Sequence, residues 1–192
     1  MPDHTAADVP LRYRLPNALT LARVVALPFF WVLLAGAPDG RSVPAGILFA
    51  AASLTDWFDG YLARRWQHST RFGRMADPLA DRLLIDSAVL LLWWHDRLPL
   101  IVPLLILARD VVLLVASSAA AKRGYELTVI YLGKTATAIL MVGLGLIMVT
   151  HESSHWPAYL VEVGLGLSLL AGALYLATVR QRLRMETTNQ GT

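Results

Sequence analysis

Six apolar stretches, at about 17–36, 43–63, 75–95, 99–121, 130–150 and 157–179, decide most of what this chain can fold into. Each has the roughly 17 to 25 residues that a helix needs to cross a hydrocarbon core. None alternates with the period of two that a barrel strand shows, and all are too long for strands. The expected fold is an all-α integral membrane bundle of six transmembrane helices. Composition agrees: of 192 residues, 56% are hydrophobic and 16% charged, with a mean hydropathy of +0.51, which disfavours a soluble globular domain.

Lysine and arginine are placed by side. Arg12 and Arg14 precede the first stretch, Arg64, Arg65, Arg71 and Arg74 fill the second connection, Lys122 and Arg123 the fourth, and Arg180, Arg182 and Arg184 the C-terminal tail. The first, third and fifth connections carry only Arg41 and Arg97. The positive-inside rule then puts both termini and the even connections in the cytoplasm, which six spans satisfy and an odd number does not. This predicts a multi-pass protein of the cytoplasmic membrane. Net charge is +3 and the pI about 9.5, but the basic residues sit at helix ends on one face, so they read as anchors to anionic headgroups and no nucleic-acid partner is expected. Trp31, Trp66, Trp93, Trp94 and Trp156 lie near span ends, where amphipathic rings favour the interface.

The leader "MPDHTAADVPLRYRLP" is too long and acidic for a signal-peptide n-region. The expected layout is a polar leader at 1–16, one six-helix domain at 17–180 and a cytoplasmic tail at 181–192. There is no cysteine, hence no disulfide and no thiolate metal site. "VGLGL" occurs at 142–146 and again at 163–167. Five residues do not make a repeat, but such glycines permit close helix packing, within the chain or in a homodimer.

Against this apolar background, "LTDWFDGYLARRWQHSTRFGRMADPLADRLL" at 54–84 holds four aspartates. Helical geometry puts Asp56 and Asp59 on one face with Gly60, Ala63 and Arg64, and Asp77 and Asp81 on one face of the next helix. The intervening "RRWQHSTRFG" reads as a short cytoplasmic turn between antiparallel neighbours, with Pro78 suggesting a helix start near Asp77. Four convergent carboxylates at low dielectric need compensating cations. With hard oxygen donors and no nearby nitrogen or sulfur beyond His68, the fitting ions are Mg²⁺, Mn²⁺ or Ca²⁺ rather than zinc or copper, and two divalent ions would balance the four negative charges. Gly60, Ala63 and Gly73 leave room for a bulky ligand, and Arg64 supplies a fork for phosphate oxygens. The alternative is a set of interfacial carboxylates paired with Arg64, Arg65, Arg71, Arg74 and Arg82.

The run Asp56-x-x-Asp59-Gly60-x-x-Ala63-Arg64, eight residues, then Gly73-x-x-x-Asp77-x-x-x-Asp81 resembles the signature of the CDP-alcohol phosphotransferase family of membrane enzymes, with every fixed position present. The resemblance implies six transmembrane helices and transfer of a phosphatidyl group from CDP-diacylglycerol to an alcohol, releasing CMP. By position it implies Asp56, Asp59 and Asp77 as metal ligands, Asp81 as a further metal-site carboxylate and the catalytic base, and Gly60, Ala63, Arg64 and Gly73 around the cytidine diphosphate. Asn17, Thr20 and Arg23 share one face of the first helix and either line the nucleotide site or cap and anchor that helix.

Within the family, "LPNALTLARVVALPFF", "TDWFDGYLARRW" and "STRFG" look like phosphatidylglycerophosphate synthases, which use glycerol 3-phosphate, and this acceptor is the first expectation. "ILARDVVLLV" and "KRGYELTVIYLGKTATA" also resemble CMP-forming cardiolipin synthases, which use phosphatidylglycerol. Glycerophosphate-using relatives usually have a second lysine two positions after Lys134, where this chain has Ala136. Arg109, Lys134 and Arg180 are the candidate acceptor-binding cations, with Arg109 and Lys134 expected to be buried. Their alternatives are a salt bridge from Arg109 to Asp110 or Asp86, a snorkelling Lys134 and a positive-inside tail at Arg180. A membrane cation carrier is the rival of another class; carboxylates confined to one end of the bundle, with no path through it, argue against it.

Overall fold

The computed structural model describes the backbone at 11–66, 71–122 and 131–189 and the side chains at 21–55, 82–118 and 131–181. Those residues form six helices and no strand: α1 (Leu11–Ala35), α2 (Val43–Trp66), α3 (Arg71–Trp94), α4 (Ile101–Lys122), α5 (Tyr131–Val149) and α6 (Trp156–Asn189). Stretches within α4, α5 and α6 are long and apolar enough to cross a membrane, while the described apolar parts of α1 and α2, Leu21–Ala35 and Val43–Thr55, are shorter.

Local chemistry marks the helix ends. The backbone N–H of Ala45 donates to Oγ of Ser42 at 3.2 Å, capping α2, and Pro44 and Pro157 each stand second in their helices, where a missing N–H goes unnoticed. After α1 the chain turns through Gly40 at φ 64°, and a Cβ there would lie 2.7 Å from that of His95. After α3 it turns through Asp96 at φ 57°, a conformation aspartate tolerates better than most residues. Hydroxyls within the helices are satisfied by the preceding turn, as where Thr137 donates to the Gly133 carbonyl at 3.0 Å and Thr178 to that of Leu174 at 3.0 Å.

Two differences from expectation concern the ends. Both flanks of the turn read at 64–73 are helical: α2 runs through Arg64 and Arg65 to Trp66, and α3 starts at Arg71, ahead of Gly73. Pro78 therefore stands within the second turn of α3 rather than at its start, which a membrane helix tolerates where its neighbours compensate. At the other end of the chain, α6 continues through most of the expected tail to Asn189. Its 34 residues span about 51 Å at 1.5 Å per residue, well beyond a bilayer core.

Among the described residues the helices pack in the cyclic order α1, α2, α5, α6, α4, α3 and back to α1, with α3 also touching α2 and α5 across the ring. The apolar core fills one end of it. Phe30 and Leu34 of α1, Phe49 of α2, Leu84, Ala88 and Leu92 of α3, Ile106 of α4, Leu140, Leu144 and Met148 of α5, and Val161 and Leu165 of α6 form one cluster. It lies toward the first, third and fifth connections, and these meet there. Arg97 donates to the carbonyls of Asp39 at 3.2 Å, Ile147 at 3.0 Å and Thr150 at 3.2 Å, Arg41 to that of Val149 at 3.2 Å, and the Ser42 N–H to that of Met148 at 2.8 Å. Burial lowers the Arg97 pKa from its ordinary value, opposed by the charges of Glu152 and Asp39. With the odd connections gathered at one end, the C-terminal ends of α2 and α4 and the N-terminal ends of α3 and α5 belong to the other.

Candidate active site

The aspartates fall where two neighbouring helices meet the end remote from the apolar core. Asp56, Asp59, Gly60, Ala63 and Arg64 stand on the last turns of α2, and Gly73, Asp77 and Asp81 on the first turns of α3. Only residues 67–70 separate the two helices, the helices touch, and the backbone is helical at all four aspartates. The side chains of all eight residues lie outside the described residues, as do those of Asn17 and Thr20 on α1. Among the described residues no group of three or more His, Asp or Glu gathers to hold a metal. The donor chemistry of the α2–α3 pair, four carboxylates, fits hard divalent cations such as Mg²⁺ or Mn²⁺.

Moving from the apolar core toward this end, the buried residues change character. Arg23 is 3% exposed and Asp110 6%, and Ala136, Ser168, Ala171 and Gly172 are also buried. Arg82, one residue beyond Asp81, donates from Nη1 to the Asp110 carbonyl at 2.7 Å and so ties α3 to α4. Arg109 donates from Nη1 to Oδ1 of Asp110 at 2.8 Å. Asp86, one turn beyond Arg82, lies within electrostatic reach of Asp110, Arg82 and Arg109, and its Oδ1 is buried without a hydrogen-bond partner. Charged side chains inside a membrane bundle are costly and mark function more often than stability.

The three acceptor-binding candidates are differently placed. Arg109 is largely buried and paired with Asp110, one of the two salt bridges anticipated for it, and its Nε is buried without a partner. Lys134 is exposed rather than buried, its Nζ 5.8 Å from the centre of the Tyr131 ring, because it stands in the first turn of α5 on the face away from Ala136. Arg180 is exposed on α6. Arg109 and Lys134 nevertheless share a level: a Cβ at Gly133 would lie 3.8 Å from that of Ala171, and one at Gly172 would lie 3.9 Å from Cγ of Arg109. Arg180 stands eight residues further along α6, about 12 Å at helical rise. Ala136 is 0% exposed, so the position that usually carries a second lysine in glycerophosphate-using relatives faces the interior here without a charge.

Sequence reasoning gave Asp86 and Asp110 no part in the site beyond an alternative salt bridge to Arg109, and Arg82 none beyond the alternative of interfacial pairing. The available signals were the four-residue spacing of Arg82 and Asp86 and the adjacent opposite charges in "LLILARDVVLLV". Both are unusual inside otherwise apolar helices.

This architecture, a helical membrane-type bundle with paired aspartates at one end and a buried ionic layer beneath them, agrees with a family comparison. A family model described as CDP-alcohol phosphatidyltransferase matches residues 13–178. The chain belongs to that family. It is 37% identical over 187 residues to a CMP-forming cardiolipin synthase of Streptomyces coelicolor, covering 90% of this chain and 85% of the relative. It is 33% identical over 181 residues to CDP-diacylglycerol–glycerol-3-phosphate 3-phosphatidyltransferases of Escherichia coli strain K12 and Shigella flexneri, covering 90% of this chain and 94% of each relative.

Proposed function

We propose that this chain transfers the phosphatidyl group of CDP-diacylglycerol to a hydroxyl of a glycerol-type acceptor and releases CMP. The observation that carries the reading is the complete aspartate signature on two touching helices, in a chain matched along most of its length by relatives of this one reaction class. The domain at 17–180 works in the cytoplasmic membrane as six spans, with the leader, the tail and the active site on the cytoplasmic side. The gathering of the odd connections at one end of the bundle supports six helices of alternating direction, and the arginine bias supports the orientation.

Asp56, Asp59, Asp77 and Asp81 would hold two divalent ions, Mg²⁺ or Mn²⁺. When bound, these supply charge neutralisation for the pyrophosphate and the leaving CMP. The chain's own residues do the rest. Gly60, Ala63 and Gly73 leave space for the nucleotide, with Arg64, Asn17 and Thr20 as its polar contacts. Asp81 accepts the proton of the acceptor hydroxyl as its oxygen bonds to the lipid-side phosphorus and the bond to CMP breaks. Arg109, Lys134 and Arg180 supply positive charge for an anionic acceptor. A neutral or cationic alcohol would leave that charge without a counterpart.

The acceptors divide on charge. Glycerol 3-phosphate carries nearly two negative charges and phosphatidylglycerol one. The motif resemblance puts glycerol 3-phosphate first. A specific observation favours the second: Ala136 turns an uncharged methyl into the bundle, and Arg109 is already half engaged by Asp110. On that count phosphatidylglycerol is the better fit. The test is CMP release from CDP-diacylglycerol by purified protein in detergent, with each acceptor supplied separately. Release with glycerol 3-phosphate alone identifies a phosphatidylglycerophosphate synthase, and release with phosphatidylglycerol alone a cardiolipin synthase. Absence of metal-dependent CMP release with both would refute the reading, and nucleotide-independent ion flux in liposomes would support a carrier in its place.

A further inference from the structure

Arg109 and Asp110 are adjacent on α4, and adjacent helical residues point about 100° apart. Their side chains still meet at 2.8 Å, with 18% and 8% of each exposed. Cγ of Arg109 lies toward α6, beside Gly172. Asp110 adjoins α3: Arg82 reaches its backbone carbonyl, and Asp86 of that helix lies within electrostatic reach of both its carboxylate and the Arg109 guanidinium. The ion pair therefore draws the guanidinium from the α6 seam across α4 toward α3, the helix that carries Asp77 and Asp81.

A pair serving stability alone would be a poor solution here. Buried ion pairs seldom outperform apolar residues of the same volume, and buried polar atoms in a finished network are normally satisfied. In this layer Nε of Arg109 and Oδ1 of Asp86 are both buried without partners. One Nη1 donor is committed to Asp110, while a guanidinium has five donors in a rigid plane. Fixing one of them fixes where the others point.

We propose that Asp110 is a positioning residue for acceptor recognition: it sets the direction of Arg109 so that the open edge of the guanidinium faces the acceptor's phosphate. The Arg82 bond to the Asp110 carbonyl keeps that direction in register with the turn of α3 bearing Asp81. This rests on the reading of Arg109 as an acceptor-binding cation. Lys134, exposed and without such a partner, contributes charge but no fixed direction.

The experiment measures kcat and separate KM values for acceptor and for CDP-diacylglycerol in full-length Asp110→Asn, Arg109→Ala, Arg109→Lys and the Arg109→Ala/Asp110→Asn double variant, using the acceptor that supports CMP release. Asn keeps the shape of Asp110 and removes the charge that orders the pair. Asp110→Asn is expected to raise the acceptor KM about tenfold, the scale of one charge-assisted hydrogen bond, and to leave the CDP-diacylglycerol KM unchanged. Arg109→Ala should raise the acceptor KM further, and the double variant should match it, because nothing is left to position. A wild-type acceptor KM in Asp110→Asn, an equal rise in both KM values, or full additivity in the double variant would overturn the proposal. If Asp110→Asn does not fold, Arg109→Lys decides: it keeps the charge without the planar fork, so an unchanged acceptor KM there overturns the proposal too. An unchanged acceptor KM in Arg109→Ala would instead remove Arg109 from the acceptor site, and the role of Asp110 with it.

Discussion

Replacing Gly164 with alanine should loosen the α5–α6 seam, while the same change two residues later should not. A Cβ at Gly164 would lie 2.8 Å from the backbone nitrogen of Leu140, 3.0 Å from its Cα and 3.1 Å from its Cβ. Ordinary contact begins at 3.4 Å, so the helices must separate by about 0.6 Å, the difference between 3.4 and 2.8, against backbone that cannot rotate aside. The same movement opens the reciprocal contact, where a Cβ at Gly143 would lie 2.8 Å from Cγ2 and 2.9 Å from the nitrogen of Val161. Alanine gains about 1 kcal/mol over glycine in a helix; overpacking costs about 1–3 kcal/mol, and about 2–3 kcal/mol where the clash is with backbone, so the net expectation is a loss of about 1–2 kcal/mol. At Gly166 nothing lies within 4 Å of the added atom, so only the gain remains. In a chain of this size 1 kcal/mol moves Tm by about 2–4 °C. Thermal unfolding of the purified protein in detergent, followed by tryptophan fluorescence, should therefore show Gly164→Ala lowered by about 2–8 °C and Gly166→Ala raised by about 2–4 °C. A Gly164→Ala protein as stable as wild type, or less stability in Gly166→Ala than in Gly164→Ala, would refute the packing argument.

Three further outcomes are expected. Asp81→Asn should abolish CMP release while leaving the elution profile and melting temperature near wild type; a wild-type rate would remove Asp81 as the base. Arg97→Gln gives up hydrogen bonds to three carbonyls at the end remote from the aspartates. It should lower stability by about 2 kcal/mol, and activity per folded molecule should not change, as thermal unfolding and turnover measured on one preparation will show. Chelation by EDTA should stop turnover and added Mg²⁺ or Mn²⁺ restore it; activity that survives exhaustive chelation would count against carboxylate-bound metal.

Much of this was legible because it depends on local properties of the chain. The length of an apolar run fixes how far a helix can reach, and the six runs correspond to six helices within about six residues at each end, except that α6 runs on to Asn189. A spacing of three or four places residues on one helical face whatever surrounds it, so the grouping of Asp56 with Asp59, and of Asp77 with Asp81, needed only the helices to exist. Helix ends were harder to read. Pro78 and the polar run at 64–73 suggested a longer turn, but helix continues through both flanks of that run.

What the sequence by itself determined was therefore the kind of element and the family signature, each carried by residues near one another along the chain. The tertiary structure alone decided which way each helix turns its faces. "VGLGL" occurs twice, yet Gly143 and Gly164 meet the opposite helix while Gly166 meets nothing. Lys134 turns outward, Ala136 inward, and Asp110 draws Arg109 across α4. The azimuth of a helix is set by six helices packing at once around a ring, and no one of them carries that information in its own sequence.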